Sequence, residues 1–307
     1  MTHTKIILRV FIATALLLIG QMLFAALCSS LLGPVWPESP DPSTLLPPMF
    51  LGQLLIVLAL LVPTRTSTLS KGPLFWSLFS AIFGLGVFLT QIEAAVFLVM
   101  PRDQLFFGAL HGTLQALWTA GWMVALFAPA ADKDHSRDSR QSLWGLPFAG
   151  WWHRLALSSV AYFGLYFLAG LVIYPQIEAF YSTQTIPSLP ILIGLQLTRG
   201  TLYVLFVSSV LLNLKLTRRQ ASLAMVLMFP MLAGVATLLA PNAIMPDAVR
   251  FWHILEIGLS NALFGALVGY LFAPPANLSS PKRNTLVSTG PASNRPASSS
   301  RAIVDAC

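Results

Sequence analysis

The sequence predicts an all-α polytopic membrane protein, with about eight transmembrane helices arranged as two parallel four-helix repeats. Three observations lead there. Of 307 residues, 56% are hydrophobic and 9% charged, with a mean hydropathy of +0.73, too few charges to solvate an ordinary globular surface. Apolar runs of membrane-spanning length recur along the whole chain. A stretch from the first half reappears, without a gap, in the second.

A hydrocarbon core of ~30 Å takes about 20 helical residues at ~1.5 Å each. Runs of that order occupy 6–32, 47–63, 73–100, 103–130, 150–174, 190–213, 219–240 and 247–273. The first follows Lys5 and Arg9, and its "LFAALCSS" sits where a lipoprotein signal would be cleaved. Leu27 before Cys28 is too large for that cleavage, so the run is expected to remain as a helix. The second run is the shortest, hemmed in by Pro47, Pro48 and Pro63. Before it lies 33–48, "GPVWPESPDPSTLLPP", a proline-rich loop that is not expected to continue a helix. Residues 131–149, with "ADKDHSRDSRQS", form a solvated linker between the halves. Residues 276–307 are Ser/Pro-rich, lack periodic apolar positions and are expected to be a disordered tail.

The internal repeat aligns 100–130, "MPRDQLFFGALHGTLQALWTAGWMVALFAPA", with 245–275, "MPDAVRFWHILEIGLSNALFGALVGYLFAPP", giving nine identities in 31 at an offset of 145. Met-Pro opens both segments and Leu-Phe-Ala-Pro closes the shared core. The same offset pairs Arg9 with Arg154 at the starts of the first and fifth runs. The expected units are therefore 1–130 and 150–275. Four crossings per repeat preserve orientation, so an axis along the membrane normal would relate them.

Basic residues set the orientation, since Lys and Arg concentrate in cytoplasmic loops. With the N-terminus inside, fifteen of the eighteen Lys and Arg residues fall on the cytoplasmic side; Arg102 and Arg250 fall outside and Arg199 within the membrane. Both termini are then cytoplasmic, and the inner membrane of a bacterium is the expected site. The net charge of +7 follows from this topology, so no nucleic-acid partner is implied; the partners expected are the bilayer and a lipid or small-molecule substrate. Cys28 and Cys307 would lie on opposite sides, so no disulfide joins them. Asp247 is expected as a helix N-cap, Arg250 as an interfacial anchor, and Trp36, Trp151, Trp152 and Tyr174 as interface aromatics.

The stretch "FWHILEIGLSN", 251–261, places His253 and Glu256 one turn apart inside an apolar run. Glu93, His111 and Arg199 occur at similar depth in the outer half of three other runs, and His111 aligns with Glu256 across the repeat. A charged side chain near a helix centre costs ~2.5–3.5 kcal/mol in lipid, so these groups are expected to face one another or a watered cavity. Helical spacing also gathers His111, Gln115, Trp118 and Trp122 on one face, and Gln196, Arg199 and Tyr203 on another.

Two imidazoles and carboxylates suit a divalent ion such as Zn²⁺. One expectation is thus a metal-assisted hydrolase or transferase acting on a lipid or membrane substrate. His111, His253 and Glu256 would be the metal ligands, and Glu93 and Arg199 the catalytic groups. The alternative is a proton-coupled small-solute transporter using the same residues. A second alternative is a non-catalytic scaffold, in which the polar groups only lock helices together. Phe107 and His111 form a Phe-x-x-x-His pattern, but the Glu-Glu-x-x-x-Arg of CAAX-processing intramembrane proteases is missing, so no family is assigned. No phosphate loop, dinucleotide fingerprint, Gly-x-Ser-x-Gly elbow or Cys-x-x-Cys pair occurs.

Overall fold

A computed structural model of the protein describes residues 3–33, 41–97, 101–129, 148–182, 186–242 and 245–273. The expected linker, apart from the first residues of the following helix, and the expected tail lie outside the described residues, as does Trp36. The described chain is helical throughout: α1 (His3–Leu32), α2 (Pro42–Thr66), α3 (Lys71–Phe83), α4 (Leu89–Phe97), α5 (Arg102–Phe127), α6 (Phe148–Tyr181), α7 (Leu189–Leu211), α8 (Arg218–Pro230), α9 (Ala236–Leu238) and α10 (Asp247–Phe272). Five-residue π turns, Gly84–Phe88 and Met231–Val235, join α3 to α4 and α8 to α9.

Seven stretches are long and apolar enough to cross a membrane: His3–Leu32, Ser43–Thr66, Lys71–Phe97, Gly150–Tyr181, Leu189–Leu211, Arg218–Leu238 and Asp247–Phe272. Large apolar side chains point away from the bundle, Leu171 and Val172 each being 72% exposed. In water such a surface would aggregate; against acyl chains it costs nothing. The protein is thus a multi-pass helical membrane protein. Helix α5 is equally long but more polar, carrying His111, Thr113, Gln115 and Thr119.

Three boundaries correct the sequence expectation. Helix α2 begins at Pro42, inside the stretch taken as loop, because Asp41 caps it through its carboxylate to the Ser43 N–H (2.9 Å) and Pro42 needs no donor there. That bond holds the Asp41 carboxyl below its usual value. Helix α6 does not stop at Tyr174 but runs through Pro175 to Tyr181, one further turn and more. Asp247 is not a cap: Pro246 occupies that position without a side-chain bond, and Asp247 pairs with Arg250 at 2.9 Å.

Each half follows the same neighbour scheme. Helix α1 packs on α2 and α5, and α3 on α5; likewise α6 packs on α7 and α10, and α8 on α10. Arg9 donates to the Leu126 carbonyl and Arg154 to the Leu271 carbonyl, each at 2.7 Å and each 117 residues along the chain. Helix α8 packs closely on α10, where a Cβ on Gly265 would come within 2.4 Å of the Met225 carbonyl and one on Gly269 within 2.6 Å of the Ser222 Cα. This is the small-xxx-small solution to close helix approach in a bilayer.

The halves meet along α2 and α3 of the first and α7 and α8 of the second. At the end of the bundle where α1 starts, Ser67 and Leu214 form an antiparallel bridge. Thr68 N–H donates to the Asn213 carbonyl and Lys215 N–H to the Thr66 carbonyl, both at 2.8 Å. Further in, Ser77 and Ser209 share a 2.6 Å hydrogen bond, and Gly86 leaves room for the Leu232 carbonyl, which a Cβ there would meet at 2.9 Å. The two π turns therefore lie against each other across the seam.

Candidate functional site

Arg199, in the middle of α7, is 5% exposed. A guanidinium at that depth must be compensated, because its pKa keeps it charged in any protein environment. Its Nη1 donates to Glu93 Oε1 at 2.5 Å and to Gln196 Oε1 at 3.2 Å, and its Nη2 donates to the Tyr203 hydroxyl at 3.2 Å. The rings of Tyr162 and Tyr203 flank it with centroids at 5.6 and 5.7 Å, a favourable placement for a cation against π faces. Gln196, Arg199 and Tyr203 are thus gathered on one face of α7, as their spacing predicts. Glu93 reaches them from α4, one turn before that helix ends, and is the more accessible partner, at 32% against 6% for the two side chains.

A second group lies on α10. His253 Nδ1 meets Glu256 Oε2 at 2.9 Å, and its Nε2 meets the Tyr181 hydroxyl at 3.1 Å. The extension of α6 beyond Pro175 is what brings Tyr181 there. Tyr166 stands one α6 turn beyond Tyr162. Ser260 and Asn261 turn back to carbonyls of their own helix, Glu256 at 2.6 Å and Ile257 at 3.0 Å.

His111 is not part of this assembly. Its Nε2 pairs with the Gln21 carbonyl on α1 at 3.2 Å; Gln115 donates to the Leu17 carbonyl at 3.0 Å and Trp118 to that of Leu16 at 2.8 Å. The polar face of α5 is thus spent on fastening α5 to α1. Among the described residues no three His, Cys, Asp or Glu side chains come together for a metal ion. The structure joins His253 to Glu256 and Glu93 to Arg199; it leaves His111 apart from both pairs, on the Gln21 carbonyl.

Tyr162, Tyr166 and Tyr181 are what sequence reading missed. Tyr162 and Tyr166 stand four apart on α6, a spacing that puts both on one face, and that stripe was the available signal. Tyr181 had none, because Pro175 reads as a stop. Comparison with protein-family models, curated proteins and solved structures finds no match to this chain.

Proposed function

We propose that the protein is a proton-coupled transporter of a small solute, built from two copies of a four-helix unit, 1–130 and 150–275. One observation carries the proposal. The Arg199–Glu93 pair bridges the two halves, and its acidic member is the less buried of the two. Protonating Glu93 removes the charge that compensates Arg199 and loosens the contact holding the halves together, which is how proton binding can drive a change of access.

Other features support the same reading. The two π turns lie 147 residues apart, Gly84 to Met231 and Phe88 to Val235, and the Ser67–Leu214 bridge joins positions at the same offset. The Arg9 and Arg154 contacts follow the 145-residue offset of the sequence repeat. Equivalent positions that meet one another, as Ser67 and Leu214 do, are expected beside a two-fold axis. Paired π turns at a seam are common at functional sites, because each breaks one turn of regular hydrogen bonding. Helix α5, fastened to α1 along its length, would be the eighth crossing; the basic residues, by the positive-inside tendency, support cytoplasmic termini, and the inner membrane of a bacterium is the proposed location.

The metal-assisted hydrolase or transferase has no gathered ligand set among the described residues. The test is reconstitution in liposomes carrying an internal pH dye, with small organic solutes added outside under an inward proton gradient. Solute-dependent acidification is expected, and Glu93→Gln should reduce it at least tenfold. Absence of solute-driven proton movement, or full activity in Glu93→Gln, refutes the proposal.

A further inference from the structure

Two donors in the Arg199 cluster have no acceptor. Arg199 Nε–H and the Gln196 side-chain N–H₂ are buried and make no hydrogen bond, although every other part of both groups is engaged. Gln196 is fully buried, at 0% exposure. The two side chains are joined by one contact, Arg199 Nη1 to Gln196 Oε1. A buried donor left unpaired costs ~1–3 kcal/mol in a protein, and no second shell of water is at hand in a bilayer to relieve it. Two such donors beside a buried cation describe the recognition surface for an anion.

We infer that Arg199 and Gln196 bind the carboxylate of a small monoanion, and that Glu93 is the internal carboxylate which the substrate replaces. The inference rests on the transport reading and supplies its substrate class. A carboxylate in the place of Glu93 would accept from Arg199 Nη1 and lie beside the Gln196 amide, which bonds the same nitrogen. The rings of Tyr162 and Tyr203 beside the guanidinium would wall the organic part of the substrate.

Charge balance then sets the stoichiometry. As built, Arg199 and Glu93 neutralise each other. A monoanion arriving while Glu93 is ionised would leave one uncompensated buried negative charge. With a proton on the Glu93 carboxylate, Arg199 is released to the substrate and the cluster stays neutral, so one proton enters with each monoanion. Arg199 from α7 faces Glu93, with Tyr203 of α7 and Tyr162 of α6 around the same guanidinium; Tyr181 and the Glu256–His253 pair of α10 form the second group. His111 on the neighbouring α5 is turned to the Gln21 carbonyl.

The experiment is calorimetric titration of the purified full chain in detergent with acetate, propionate and benzoate, with propionamide as the neutral isostere and inorganic phosphate as a second anion, between pH 5 and 8. At least one carboxylate should bind, with Kd falling up to about tenfold for each unit fall in pH, as one-proton linkage requires. Propionamide should not bind, and phosphate should bind more weakly than the carboxylate. Glu93→Gln should bind the carboxylate with a Kd independent of pH. Arg199→Lys should weaken binding at least tenfold; should that variant not fold, Gln196→Leu, which removes one donor at similar volume, should weaken it about threefold to tenfold. Failure of all three carboxylates to bind, equal binding of propionamide, tighter binding of phosphate, or a Kd unchanged with pH overturns the inference and leaves water as the occupant. Carboxylate binding without proton-coupled flux in liposomes retains the anion site and refutes transport. Flux driven only by neutral solutes retains transport and refutes the anion site.

Discussion

Glu93 and Arg199, 106 residues apart in the chain, meet at 2.5 Å with unequal burial: the carboxylate side chain is 32% exposed and the guanidinium 6%. Removing one partner therefore has different consequences on the two sides. Glu93→Ala leaves an uncompensated cation in the core, a loss of ~3–5 kcal/mol. Arg199→Met leaves a less buried carboxylate that can take a proton, a loss of ~1–3 kcal/mol. Thermal unfolding of both variants in one detergent should place Glu93→Ala lower. Equal midpoints, or the reverse order, would show that Glu93 is not the accessible partner.

Arg9 holds the last turn of α5 through the Leu126 carbonyl, and Arg154 that of α10 through the Leu271 carbonyl. A charged donor on a backbone carbonyl contributes ~1.5–3 kcal/mol. Arg9→Met and Arg154→Met should each destabilise by that order and by similar amounts, as copies of one unit would. A cost confined to one of them would argue against equivalent halves.

The Ser67–Leu214 bridge has hydrogen bonds on both flanks and none between the two residues themselves. Such pairs bring Cα atoms to ~4.5 Å, inside the range a disulfide spans. Oxidised Ser67→Cys/Leu214→Cys should therefore hold the halves together at this end and lower solute-driven proton flux at least tenfold, with recovery on reduction. Chains with only one of the two substitutions, each keeping the native Cys28 and Cys307, serve as controls. Undiminished flux in the cross-linked protein would mean that this end need not open.

Gly265 and Gly164 separate packing from propensity. A methyl at Gly265 would press on the Met225 carbonyl at 2.4 Å, whereas one at Gly164 would meet nothing within 4 Å. Gly265→Ala should cost ~1–3 kcal/mol by forcing α8 and α10 apart. Gly164→Ala should be neutral or slightly stabilising, because it lowers the entropy of the unfolded chain. Equal behaviour in thermal unfolding would remove the close α8–α10 contact from the account.

Much of the local structure was legible because it depends on short-range chemistry. The apolar runs mark the helices, and the spacing of Gln196, Arg199 and Tyr203 puts them on one face of α7, where Arg199 bonds both neighbours. His253 and Glu256 pair as their one-turn separation allows. Boundaries failed at prolines: Pro42 and Pro47 look like loop until Asp41 is seen to cap the helix, and Pro175 looks like an end until α6 is seen to pass through it.

The sequence by itself determined that this chain lives in a bilayer as a bundle of helices, because apolar length against bilayer thickness is a one-dimensional comparison. It also showed which polar residues share a depth, since depth follows from counting along a helix. Only the tertiary structure decided which of them touch. Contact depends on how each helix is rotated and which helices are neighbours, and those are settled by packing across the whole bundle. Rotation turns His111 to the Gln21 carbonyl and away from His253, while the packing of α4 beside α7 delivers Glu93 to Arg199.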